Sequence, residues 1–186
     1  MNALIIHGMS LKEEYDNNPY VGQYHWYGWT KSELEKKGIH TSVPDMPMAY
    51  NPSYESWKTE FEHLELKKDT ILIGHSCGAG FIVRWLSEHK EVHVGKVVLV
   101  APWTDPEYVL DTGMFDFEID TELSSRTDGV SVMYSIDDEV EVLKTVAMLK
   151  EKFTNVDFIE YDNKGHFCLE DLGGPAFPEL IELIIK

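Results

Sequence analysis

The run Gly74-His75-Ser76-Cys77-Gly78 sets a serine between two glycines in the spacing Gly-x-Ser-x-Gly. A serine hydroxyl is a weak nucleophile at neutral pH. It attacks a carbonyl only with a base to take its proton, a group to orient that base, and donors for the oxyanion that develops. Candidates for each follow from the chain. Downstream of Ser76 lie the adjacent Asp137 and Asp138, and after them His166, within Asp162-Asn163-Lys164-Gly165-His166-Phe167. The order nucleophile, acid, histidine is the one required when the serine stands on a strand-to-helix elbow. His166 is expected as the general base that takes the Ser76 proton and returns it to the leaving group. Asp137 and Asp138 compete for the carboxylate that holds the imidazole tautomer, and Asp138 is favoured. For the oxyanion, the backbone N–H of Cys77 is one donor, and the loop His7-Gly8-Met9 offers the Met9 N–H as the other.

Such groups act together only if secondary structure brings them to one place. Short apolar runs at residues 3–6, 40–43, 70–74, 96–100, 130–135 and 156–161 read as six strands. Helical spacing over residues 27–37, 54–66, 80–89, 141–152 and 175–185 separates or follows them. Strands alternating with helices predict a parallel sheet covered on both faces, a three-layer α/β/α arrangement whose ligands bind at the carboxyl ends of the strands. Ser76 then follows the third strand directly and precedes a helix. Small residues at 74, 78 and 80 suit a turn that presses backbone against strand and helix.

The length of 186 residues suits one core and one domain, residues 1–186. With 33 acidic against 16 basic residues, the formal charge of −17 repels phosphate backbones and anionic lipid, so neither nucleic acid nor membrane is expected as a partner. The apolar start lacks a basic flank and ends early at His7-Gly8, so no export signal is read, and no apolar run approaches membrane-spanning length. Two cysteines, Cys77 and Cys168, are too few for a disulfide scaffold and fit a cytoplasmic protein. No metal site and no cofactor are expected. The two thiols can come near one another if Ser76 and His166 do, which leaves a redox-sensitive pair open.

Two stretches break the strand-helix rhythm, residues 9–26 and 102–128, and both fall where active-site walls form. The first ends in an aromatic cluster of Tyr24, His25, Trp26, Tyr27 and Trp29, from which His25 and Trp26 are candidates to contact substrate. Packing of Tyr27 and Trp29 against the sheet is the competing reading. The second stretch holds eight acidic residues and only Arg126 as a base. It reads either as a small cap whose Phe115 and Phe117 contact substrate or as a solvated surface insert.

With these residues placed, the chain resembles the small α/β-hydrolases of the retinoblastoma-binding protein 9 family. The resemblance runs over nearly the whole length. It rests on His7-Gly8, Trp26-Tyr27-Gly28-Trp29 followed by Lys31-Ser32-Glu33-Leu34-Glu35-Lys36, Pro44-Asp45-Met46-Pro47, Trp57, the run from Gly74 to Gly78, Val100-Ala101-Pro102 and Gly165-His166-Phe167. It implies an α/β-hydrolase fold with a six-stranded, predominantly parallel sheet and a triad of Ser76, Asp138 and His166. The chain departs from the family at the acid loop. Glu139 replaces the expected proline, and Glu141-Val142 stands where Val-Pro is usual.

The leading expectation is a serine hydrolase that cleaves a small ester, thioester or amide through an acyl-Ser76 intermediate. A protein-binding module on the same fold, with little turnover and a partner unknown, is the alternative, and a cofactor-free lyase or haloperoxidase-like activity is a third.

Overall fold

A computed structural model describes residues 1–18, 20, 22 and 25–186. Among these, six strands form one sheet: β1 (Asn2–Ile6), β2 (His40–Ser42), β3 (Ile71–His75), β4 (Val94–Val100), β5 (Thr127–Ser135) and β6 (Val156–Tyr161). Their order is β2-β1-β3-β4-β5-β6 and every pair is parallel. The helices are α1 (Lys12–Asn17), α2 (Tyr27–Lys36), α3 (Tyr54–Glu62), α4 (Cys77–Glu88), α5 (Val140–Lys152), α6 (Leu169–Leu172) and α7 (Pro178–Ile185). The sheet is thus wholly parallel, with helices against it.

Chain direction decides which face each helix covers. From β1 the sheet first grows outward to β2, then reverses and grows through β3 to β6. Because parallel crossovers are right-handed, the reversal puts α2 on one face and α3, α4 and α5 on the other. Ring contacts agree: Trp57 and Phe61 of α3 meet Phe81 of α4, whereas Trp26, which caps α2, meets Phe177 before α7. With both faces covered, β1 and β3 carry no solvent-facing side chain and read as continuous apolar runs. Each fully buried large apolar side chain, Phe61 and Phe81 among them, contributes roughly 2–3 kcal/mol of transfer free energy.

The reversal also opens a crevice beyond the carboxyl ends of β1 and β3, the switch point at which such sheets bind ligands. Gly8 follows one of these strands and Ser76 the other.

The structure departs from the spacing in instructive places. Helix α4 begins at Cys77, three residues before the apolar periodicity suggests, because the chain turns into helix straight after Ser76. Helix α3 stops at Glu62, and Leu64 and Leu66 pack on the core from the loop beyond it. Helices α1 and α6 were not expected. Neither buries a residue, so neither has an apolar stripe to find.

Candidate active site

Ser76 occupies a conformation that side chains rarely adopt, with φ 53° and ψ −123°. Strain of this kind, on the order of 1–3 kcal/mol, persists only where surrounding structure over-determines it. Here the Ser76 N–H donates to the Val100 carbonyl at 2.9 Å, while the Ser76 carbonyl accepts from Ala79, Gly80 and Trp103 amides at 3.0–3.2 Å. Close packing enforces the turn. A Cβ at Gly78 would stand 2.3 Å from the Ile6 carbonyl oxygen, and one at Gly74 would stand 2.5 Å from Ala79 Cα. The two flanking glycines of the motif are therefore required by space.

The hydroxyl of Ser76 faces a cavity of about 790 Å³ that His166 also lines. The His166 ring is bonded through Nδ1 to Asp138 Oδ1 at 2.9 Å, with the Asp138 side chain wholly inaccessible to water. A carboxylate partner is acceptor only, so Nδ1 carries the proton and Nε2 is left bare for an incoming one. Burial alone draws the His166 pKa down, but the hydrogen bond and charge of Asp138, with Glu139 and Asp171 adding, overcome this and hold it above 6.5. Asp138 Oδ2 is buried without a partner among the described residues. Between Ser76 Oγ and His166 no hydrogen bond is closed among the described residues. Contacts of this type are often long in unliganded sites and tighten when substrate binds.

The two adjacent aspartates part company. Exposed Asp137 accepts from Ser135 Oγ and from the Gly165 N–H at 3.0 Å, and the Ser135 hydroxyl foremost among these donors holds its pKa down. It ties the loop that carries His166, whereas Asp138 touches the ring itself.

Beside Ser76, the loop after β1 is fixed from behind by His7. Its Nε2 accepts the Met46 N–H at 2.9 Å, so Nδ1 is the protonated nitrogen and donates to the Gly8 carbonyl at 2.8 Å. Burial pushes the His7 pKa down and keeps the ring neutral. Across a trans peptide the C=O and N–H point oppositely. With the Gly8 carbonyl turned back to His7, the Met9 N–H turns away from it, and Gly8 and Met9 both line the cavity. The Cys77 N–H opens α4 and has no acceptor within the helix, as first-turn amides do. Both amides are free of protein acceptors among the described residues.

The remaining sequence candidates divide. His25 lines the cavity, with φ 58° and a buried Nδ1 that has no partner among the described residues. Trp26 does not line it: the ring is fully buried beneath, and Nε1 donates to the Phe167 carbonyl at 3.1 Å. Position next to His25 misled here, because the start of α2 turns successive side chains to different sides. Phe115 and Phe117 are also away from the cavity. Phe115 packs edge-on to Trp103 near Gly80, and Phe117 flanks the Arg84 guanidinium. Residues 102–128 lie along α4, pinned by Arg84 to the Met114 carbonyl, by Ser87 to the Asp120 amide and by the Asp120–Arg126 pair. They form no cap over Ser76. Tyr24 lies outside the described residues.

Both cysteines are free thiols. Burial raises the Cys77 pKa well above its ordinary value and that of Cys168 to about 11, so neither is a reactive thiolate. Among the described residues no cluster of three or more His, Cys, Asp or Glu side chains could hold a metal ion, and no helix is long and apolar enough to cross a membrane.

Spacing did not indicate Leu11, Glu14 and Asn17 from α1 and its cap, or Leu169 and Glu170 from α6, all of which line the cavity. His75 and Tyr27 line the cavity as well, the first from inside the motif and the second from the aromatic cluster, where packing was the competing reading. Their histidine and tyrosine types beside Ser76 were the one available signal.

Comparison with known proteins bears on the family and the fold. The family profile described as serine hydrolase matches residues 4–184. Rat serine hydrolase RBBP9 is 31% identical over 86 residues, a match that covers 45% of this chain and 45% of that protein. The crystal structure of the ydeN gene product of B. subtilis superposes with a TM-score of 0.82 at 22% identity, over 99% of this chain and 96% of that one. The alpha/beta hydrolase domain-containing protein 10 from mouse gives 0.65 at 12% identity, over 99% and 86%. These likenesses show an α/β-hydrolase fold.

Proposed function

The chain belongs to the serine hydrolase family, and on that premise we propose that it hydrolyses a small ester, thioester or amide, with Ser76 as nucleophile, His166 as base and Asp138 as its orienting carboxylate. The observation that carries this reading is the buried Asp138–His166 hydrogen bond at the wall of the cavity that holds the strained Ser76. As Ser76 Oγ bonds to the substrate carbonyl carbon, its proton passes to His166 Nε2 and the carbonyl oxygen becomes an oxyanion. The Met9 and Cys77 amides donate to that oxygen. Collapse of the tetrahedral species breaks the bond to the leaving group, which takes the proton from His166. Water then repeats the sequence on the acyl-Ser76 ester, and the acid departs. Every proton moves among Ser76, His166, water and the leaving group, so the steps call for no cofactor.

His25 faces the reacting centre and is the substrate contact this reading keeps. The test is turnover of p-nitrophenyl esters graded by acyl length, with Ser76→Ala beside wild type. Wild type should turn over at least one ester, and loss of the nucleophile should lower kcat by on the order of 10⁶-fold. Folded wild type that hydrolyses no ester, thioester or amide would exclude the reading and leave a binding module or a cofactor-free lyase or haloperoxidase-like activity.

A further inference from the structure

Two buried titratable side chains beside Ser76 take no part in the steps above. His75 is buried at the end of β3 and Tyr27 at the start of α2, both against the floor of the cavity. Their hydrogen bonds allow one assignment of protons. The His75 Nε2 partner is the His166 main-chain carbonyl at 2.8 Å, which can only accept, so Nε2 carries the hydrogen. Burial, with His166 and other histidine rings nearby, holds the His75 pKa well below its ordinary value and keeps the ring neutral. Nδ1 is then a bare acceptor, and the Tyr27 hydroxyl donates to it at 2.7 Å. The Tyr27 oxygen in turn accepts the Gly8 N–H at 3.4 Å.

The result is one hydrogen-bonded chain from the Gly8 amide through Tyr27 and His75 to the His166 carbonyl. It joins the loop after β1, the strand that leads into Ser76 and the loop after β6. At its far end the next carbonyl, that of Phe167, is held by Trp26 Nε1, and Phe167 itself has a positive φ of 56°. A backbone so strained keeps its shape only while such bonds hold it.

We propose that Tyr27 and His75 are positioning residues, whose bridge sets the His166 loop and the Gly8-Met9 loop at their working separation around Ser76. The proposal rests on the hydrolase reading of Ser76 and His166. A buried side chain kept for packing alone needs its shape and not its donors. An active site needs its groups placed to within a fraction of an ångström, and misplacement of about 1 Å can cost roughly a hundredfold in rate.

The experiment compares wild type, Tyr27→Phe, His75→Leu and His75→Gln in p-nitrophenyl acetate turnover and in amide hydrogen exchange. Tyr27→Phe keeps the ring and removes only the hydroxyl, so it is decisive even if His75→Leu fails to fold. Glutamine retains a side-chain N–H where imidazole has Nε2–H. Expected are a fall in kcat of about tenfold or more in Tyr27→Phe and His75→Leu with KM little changed, and recovery to within about threefold of wild type in His75→Gln. Exchange of the Gly8 amide should quicken in Tyr27→Phe. Wild-type kcat in Tyr27→Phe, or equal losses in the Leu and Gln variants at position 75, would overturn the bridge while leaving the hydrolase reading intact. A wild type without turnover overturns both.

Discussion

His166 enters the cavity on a loop whose main chain is bonded to Ser135, Asp137, His75 and Trp26, whereas Leu11, Glu14 and Asn17 enter it from α1 and its cap, a helix with no buried residue. The first wall is held by four ties, of which only the one to Asp137 is exposed, the second by a six-residue helix that rests on the core through Tyr15 and by an exposed Lys12–Asp16 pair that water screens. The difference separates two jobs. On the proposed reading, the bond-making groups stand on tethered backbone, and the surface that would meet the rest of a substrate is more lightly packed and easier to alter. Catalytic rate and substrate preference should then respond to different residues.

The sharpest way to break this comparison lies within the tethered wall. Asp138→Asn leaves the shape but presents the wrong hydrogen-bonding face to His166, and kcat should fall by on the order of 10⁴-fold. Asp137→Asn only weakens a loop tie, since an amide oxygen still accepts the Gly165 N–H, and its loss should stay within about tenfold. Steady-state kinetics on one ester measure both, and equal losses would erase the distinction between the neighbours.

A smaller effect is expected in the pH profile. His166 must be neutral to take a proton, and its pKa lies above 6.5, so kcat/KM should climb with pH through a midpoint above that value. Glu139 is one of the charges that hold it up. Removing that charge in Glu139→Gln lowers the pKa and should move the midpoint toward acid, and an unmoved or alkaline-shifted midpoint would contradict the assignment.

The smallest effect belongs to the loose wall. Leu11 is 69% exposed at the cap of α1, and Leu11→Ala should change KM by about threefold while leaving kcat and the melting temperature nearly unchanged. A large fall in kcat would mean that α1 also positions the reacting groups.

The same division explains what could be read from the chain. Strands buried on both faces announce themselves as apolar runs, which is why β1 and β3 fall within a residue of their expected bounds, whereas β6, with no buried residue, shows itself only by Val, Phe, Ile and Tyr among its acidic residues. Ser76, Asp138 and His166 could be singled out because nucleophilic chemistry demands their types in an order that the strand ends impose. Cavity walls carry no such demand. Trp26 and His25 are neighbours in sequence, yet one is buried under the site and the other faces it, a matter of side-chain direction that composition does not record. Phe115 and Phe117 were plausible wall residues by type alone. Their place was decided by Arg84 and Ser87 of α4, which hold residues 102–128 along the helix. The short α1, with Tyr15 alone among its six residues aromatic or apolar, left no period to detect.

The central claim, that Ser76 is an activated nucleophile, is tested most directly by incubating the protein with a fluorophosphonate and mapping the adduct by mass spectrometry. One phosphonyl group on Ser76, lost in Ser76→Ala and much slowed in His166→Ala, is the predicted result. Folded wild type that stays unlabelled, or carries its label on another residue, would contradict it.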